Sequence, residues 1–139
     1  MNRKTTVILL LMLGFAITIF ISGIYVFKKS KHNLSNVNSD FKMDSKTLLD
    51  EFVNDELKAN ATYTNKIIEV TGNVKSVVFN ETSVFIIIGD SNEFSGINCS
   101  FDSSIRTKIN IQSGDIVTVK GECTGFLDDV LLSKCLLVQ

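Results

Sequence analysis

From Val7 to Phe27 the chain runs through 21 residues without one charged side chain. At about 1.5 Å of rise per residue, such a run is long enough to cross a hydrocarbon core of roughly 30 Å. It therefore reads as a membrane span, which leaves the rest of the chain to supply one small domain. A cleaved signal peptide is the rival, because Arg3 and Lys4 form a basic stretch ahead of the run. Signal peptides, however, carry an apolar core of only about 7 to 15 residues and end at a small-x-small site. Ser22-Gly23 interrupts the run here, yet Ile24-Tyr25-Val26-Phe27 continues it. An uncleaved anchor at 7–27 is the expectation, preceded by a basic N-terminus at 1–6. No cysteine follows the run, so a bacterial lipoprotein anchor is excluded.

Basic groups flank both ends of the span, Arg3 and Lys4 on one side and Lys28, Lys29 and Lys31 on the other. A single span with a basic N-terminus usually leaves its short end in the cytoplasm, which places the domain on the extracytoplasmic side of a single-pass membrane protein. The inward-facing orientation stays open. Residues 28–43, rich in Ser, Asn and Lys toward their start, read as a polar tether, and 44–139 as the folded domain. Charge divides the chain in the same place. All 15 acidic residues lie from Asp40 onward against nine Lys and Arg, a net of −6, whereas the first 39 residues hold five basic groups and no acidic one.

Within the domain, Asp44 and Ser45 precede Leu48, Leu49, Phe52, Val53 and Leu57, the stripe of one amphipathic helix behind an N-cap. Asp50, Glu51, Asp55 and Glu56 take its other face and read as a solvated surface rather than an acid/base or metal site. The helix should fade over 59–64, where Tyr63 can pack back onto the strands beyond it. Beyond Asn65 the period becomes two, with Ile68, Val70, Gly72, Val74 and, at the end of the alternation, Ser76 on one face. Four more strand segments come after it: Ser83–Gly89, apolar on both faces in Val84–Ile88; Ile97–Asp102; Ile116–Cys123; and Val130–Val138. A helical turn is expected within Ser103–Ile109. Five short strands at close spacing predict a mainly β fold closed, or nearly closed, into a small barrel, which leaves no exposed sheet edges.

Four segments carry a family resemblance: V-T-G-N-V at 70–74, N-C-S-F at 98–101, G-D-I-V-T-V-K-G at 114–121 and C-T-G-F-L-D-D-V-L-L-S-K-C at 123–135. Together they resemble the tRNA anti-like family of OB-fold domains over about Leu48 to Val138. The resemblance implies a five-stranded OB-fold barrel preceded by one helix, in a family found mostly in bacterial envelope proteins; the transmembrane helix ahead of it rests on the 7–27 run. It gives structural roles to Gly72 at a strand bend, Gly114 and Asp115 at a strand entry, and Gly121 where that strand curls. In the ending, it marks Gly125 and Asp129, the latter fixing the turn into the last strand. It hands over no catalytic residue and no cofactor.

Cys99, Cys123 and Cys135 fall on the inward parity of their strands, where a thiol packs as a small hydrophobe. In an exported domain two could oxidise, and Cys123 with Cys135, flanking the last hairpin, is the first choice among three pairs. The lone His32 lies in the tether and the cysteine spacings lack a close pair, which argues against a metal site. No Ser-His pair, Cys-His pair or phosphate-binding glycine loop stands in the domain, so catalysis is not expected. OB barrels can bind single-stranded nucleic acid through exposed aromatics in a basic groove. A domain at −6 disfavours that partner, and Phe79, Phe85, Phe94 and Phe126 read as core or loop anchors. The expectation is a noncatalytic module for a protein, peptide or glycan partner at the cell envelope, with nucleic-acid binding as the alternative.

Overall fold

The computed structural model describes Met12 and residues 34–138. The 7–27 run and the start of the tether lie outside these residues, Met12 apart, and no helix among those described is long and apolar enough to cross a membrane. In chain order the elements are β1 (Phe41–Asp44), α1 (Ser45–Asn54), α2 (Glu56–Tyr63), β2 (Ile67–Phe79), β3 (Ser83–Ile88), β4 (Ile97–Asp102), β5 (Ile116–Leu127) and β6 (Asp129–Leu137). Two short 3-10 turns, Leu34–Asn36 and Ser103–Ile105, complete the set.

The sheet order is β1-β2-β3-β4-β6-β5, and a further pairing of β2 with β5 closes five of these strands into a barrel. Closure depends on the length of β2. Its first half pairs antiparallel with β5, from Ile67↔Glu122 to Asn73↔Ile116, and its second half with β3, from Val74↔Ile88 to Phe79↔Val84. A register shift between Val74 and Ser76 separates the halves, the local bend that lets one strand serve two sides of a barrel. β4 and β6 run parallel, Ile97 facing Val130 and Cys99 facing Leu132.

Period-two alternation turns one face of every strand inward. Ile68, Val70, Val74, Val84, Ile86, Ile88, Ile97, Phe101, Val119, Val130 and Leu132 form the interior with the three cysteines. Leu48, Leu49 and Phe52 of α1 join that core, and Ile105, Ile109 and Ile111 of the β4–β5 connection pack against it. Both helix starts are capped by aspartate. Asp44 accepts from the Thr47 amide at 2.9 Å and Asp55 from the Lys58 amide at 3.1 Å. The Thr47 hydrogen bonds hold the Asp44 carboxyl below its ordinary pKa.

Two local features differ from the sequence expectation. The single leading helix is two, broken at Asp55 (φ −152°, ψ 83°), because that aspartate leaves the first helix to cap the second. Residues 41–43, expected at the end of the tether, instead belong to β1, which lies parallel to β2 with Phe41 facing Ile68 and Met43 facing Val70. Four residues are too few for alternation to stand out in sequence. Their place is fixed by tertiary contacts: Phe41 meets Tyr63 edge-on at 4.9 Å, and the Asp40 carboxylate accepts from the Ile67 amide at 2.8 Å. Glu51, read as solvated, accepts a hydrogen bond from the Tyr63 hydroxyl at 2.6 Å. Burial, with Glu51 beside it, pushes the Tyr63 pKa up to about 12.

Candidate binding face

Residues that alternate with the core on β2, β3 and β4 project from the outside of the barrel, and register sets them in rows. One row is Val78, Phe85 and Ser100. The next is Ser76, Ile87 and Asn98, extended onto β6 by Leu131. None of these seven side chains carries a charge. Val78 is exposed, and the others are half-buried by their neighbours on the curved surface. The result is a shallow patch, apolar along Val78, Phe85, Ile87 and Leu131, with amide and hydroxyl groups on the β4 side.

Fixed groups border this patch. At the β2–β3 turn, the Arg106 guanidinium lies 5.6 Å from the Phe79 ring centroid and donates to the Asn80 carbonyl. In the opposite direction along the strands, the Lys75 ammonium donates to the Glu93 carbonyl at 2.5 Å and the Phe94 carbonyl at 3.3 Å, tying down the loop between β3 and β4. The Phe94 side chain on that loop is 92% exposed, open to contact with a partner. Of the four phenylalanines read as core or loop anchors, only Phe126 is packed that way, stacked on Phe52 at 5.6 Å. Phe85 faces outward, and its signal was the apolar run of Val84–Ile88 on both strand faces, more than the inside of a barrel can absorb. Arg106 carried no such signal, since only folding brings it beside Phe79.

A Cβ at Gly72 would lie 2.2 Å from Ser45 Oγ and 2.6 Å from Ile88 Cγ2, so β2 there touches the start of α1. Gly121 sits within the β5–β6 register shift between Lys120 and Glu122, where a Cβ would lie 2.7 Å from Cys135 Sγ. Gly114 (φ +95°) and Gly125 (φ +128°) occupy backbone conformations that L side chains rarely adopt. The Asp115 carboxylate accepts from the Gln112 amide at 2.8 Å, which closes the turn before β5. Asp129 accepts from the Gly96 amide at 2.7 Å, joining the β5–β6 turn to the loop before β4.

All three cysteines are buried free thiols. Cys123 pairs in register with Leu132, while the thiol neighbour of Cys135 is Cys99. A hydrogen bond to Cys135 and burial hold the Cys99 thiol well above its ordinary pKa, and burial pushes Cys123 up as well. The thiolate, the reactive form, is therefore suppressed at Cys99 and Cys123. Among the described residues no group of His, Cys, Asp and Glu is arranged to hold a metal ion.

A closed five-strand barrel in the order β2-β3-β4-β6-β5 defines an OB-fold domain. The chain belongs to the tRNA_anti-like family, whose model matches residues 1–137. Among solved structures it is similar to a “putative nucleic acid-binding lipoprotein” from Klebsiella pneumoniae subsp. pneumoniae MGH 78578, with TM-score 0.59 and 14% identity over 79% of this chain and 100% of that one. It is also similar to a chain of the S. pombe Stn1-ten1 complex, with TM-score 0.41 and 16% identity over 52% of this chain and 58% of that one. A third likeness is to asparaginyl-tRNA synthetase from Pyrococcus horikoshii, with TM-score 0.41 and 15% identity over 56% of this chain and 21% of that one. At 14% identity the likeness to the Klebsiella protein is one of fold. No curated protein matches the sequence.

Proposed function

We propose that the protein is a noncatalytic binding module, held at the cell envelope by the 7–27 span, that takes an uncharged segment of a protein, peptide or glycan partner on the outer face of β2, β3 and β4. The observation that carries this reading is the pair of rows centred on Phe85: seven neighbouring outer side chains without a charge, in a domain whose net charge is −6. Partly apolar surface of this kind gains free energy when covered, and the amide and hydroxyl groups of Asn98 and Ser100 offer hydrogen bonds that fix a ligand's register. The similarity to a protein described as a lipoprotein supports an envelope location.

Single-stranded nucleic acid is the second reading, favoured by one observation, the outward aromatic ring of Phe85, on which a base can stack. The two separate in a pair of experiments on the full chain, one in cells and one in lipid nanodiscs. Photocrosslinking from position 85 in cells identifies a polypeptide partner, and titration with labelled single-stranded DNA and RNA across a salt series reports nucleic-acid binding. A crosslinked polypeptide whose capture is lost in Phe79→Ala, with no nucleic-acid binding at low salt, supports the first reading. Saturable nucleic-acid binding that weakens steeply with salt and is lost in Phe85→Ala replaces it with the second. For the anchor, resistance of the membrane-bound protein to carbonate extraction is the expected result. Cleavage of the domain by protease added from outside gives its orientation.

A further inference from the structure

Where β4 and β6 finish, the β4–β5 connection folds over the barrel and leaves a cavity of about 340 Å³, separate from the rows centred on Phe85. Its walls are apolar and anchored. Phe101 is 2% exposed within the barrel core, and Ile105, Ile109 and Leu137 are half-buried against that core. Its rim is charged, with Lys108 and Asp102 both lining it. The Asp102 carboxylate is engaged locally, accepting from the Ser104 amide at 2.9 Å as the cap of the 3-10 turn. The Lys108 ammonium, by contrast, enters no ion pair or hydrogen bond among the described residues.

We propose that this cavity is a ligand site for a small amphiphile, a short apolar chain carrying one carboxylate. The chain would cover Ile105, Ile109 and Leu137, and the carboxylate would pair with Lys108. Size and charge both limit the ligand. The volume is at the low end of the roughly 300–1,000 Å³ typical of small-molecule sites, which suits a chain of about eight carbons. A lysine without a partner beside an apolar wall favours an anionic head, because a charge attraction at the rim then adds to the covering of the wall. A cationic head would have only Asp102, already bonded to the Ser104 amide, and would be repelled by Lys108.

The test is calorimetric titration of octanoate into the full chain in nanodiscs, with empty nanodiscs as the blank. Saturable binding is expected for the wild type, weakened at least tenfold in Lys108→Glu. Asp102→Asn, which keeps a capping side chain while removing a rim charge, is expected to tighten binding two- to threefold. Octylammonium should not bind the wild type, and Phe85→Ala should leave octanoate binding unchanged, which separates this site from the outer face. Both rim positions are exposed, so circular dichroism of the variants should match the wild type. No saturable binding above the blank, or an unchanged octanoate affinity in Lys108→Glu, would overturn the proposal.

Discussion

Substituting alanine for Gly121 tests the packing where β5 meets β6. The added Cβ would lie 2.7 Å from Cys135 Sγ, 3.1 Å from Leu132 Cβ and 3.3 Å from the Ser133 carbonyl oxygen. Sulfur is the decisive neighbour, because the other two distances are tight yet within reach of small shifts. The Cys135 thiol cannot swing aside freely, since it is 7% exposed, sits beside Cys99 and donates to the Leu132 carbonyl at 3.4 Å. Gly121→Ala alone should therefore cost about 1–3 kcal/mol, the range for one extra carbon in a packed interior. Cys135→Ala alone should cost about 1 kcal/mol for the buried atom removed. In the double variant the new methyl occupies space that the sulfur has vacated. The double variant should lose only about as much as Cys135→Ala, a favourable coupling of about 1–3 kcal/mol, equal to the cost of Gly121→Ala alone. Urea unfolding of all four proteins, followed by far-ultraviolet circular dichroism, gives the cycle. Additive losses would mean that sulfur is not what excludes a side chain at 121, and the reasoning would fail.

Asp129→Ala should destabilise the barrel by about 1–3 kcal/mol in the same assay, because it leaves the Gly96 amide without its acceptor, while Asp129→Asn should recover most of the loss. Absorbance of ionised tyrosine should show Tyr63 titrating near pH 12, and Glu51→Gln should lower that midpoint. Since the folded-state pKa lies above the ordinary value of 10, the Tyr63 contribution to stability is intact below about pH 10 and is lost as the pH rises toward 12; Tyr63→Phe should flatten that decline. Thiol reagents at pH 8 should modify Cys99, Cys123 and Cys135 only as fast as the barrel opens. Alkylation under denaturing, nonreducing conditions should count the free thiols, and a Cys123–Cys135 disulfide in exported protein would remove two of them.

Strand positions were legible because a barrel has one inside. Each of Ile68, Val70, Ile86, Cys99, Val119 and Leu132 alternates with a half-buried or exposed neighbour, and that alternation is local enough to see in the chain. What escaped was set by contacts between distant residues. β1 exists because Phe41 and Met43 find β2 and Tyr63, and the break at Asp55 reflects a choice between two capping roles that helix periodicity does not register. The outer face was half legible: Phe85 and Ile87 announced a second apolar side to β3, but their alignment with Val78, Asn98 and Leu131 depends on register. The cavity was not legible, since Lys108 and Leu137 are brought together only by the way the β4–β5 connection folds back.

The position of β6 has a consequence for biosynthesis. This last strand lies between β4 and β5, and both of those keep an open edge until it is inserted. A ribosome must therefore complete residues up to Leu137 before the barrel can close. Until then the nascent chain exposes unpaired backbone beside the apolar inner faces of β3, β4 and β5, the condition that invites pairing with other chains. Truncation within β6 should accordingly give aggregation rather than a smaller stable domain, and a chaperone that guards this chain would act during the interval before β6 is made.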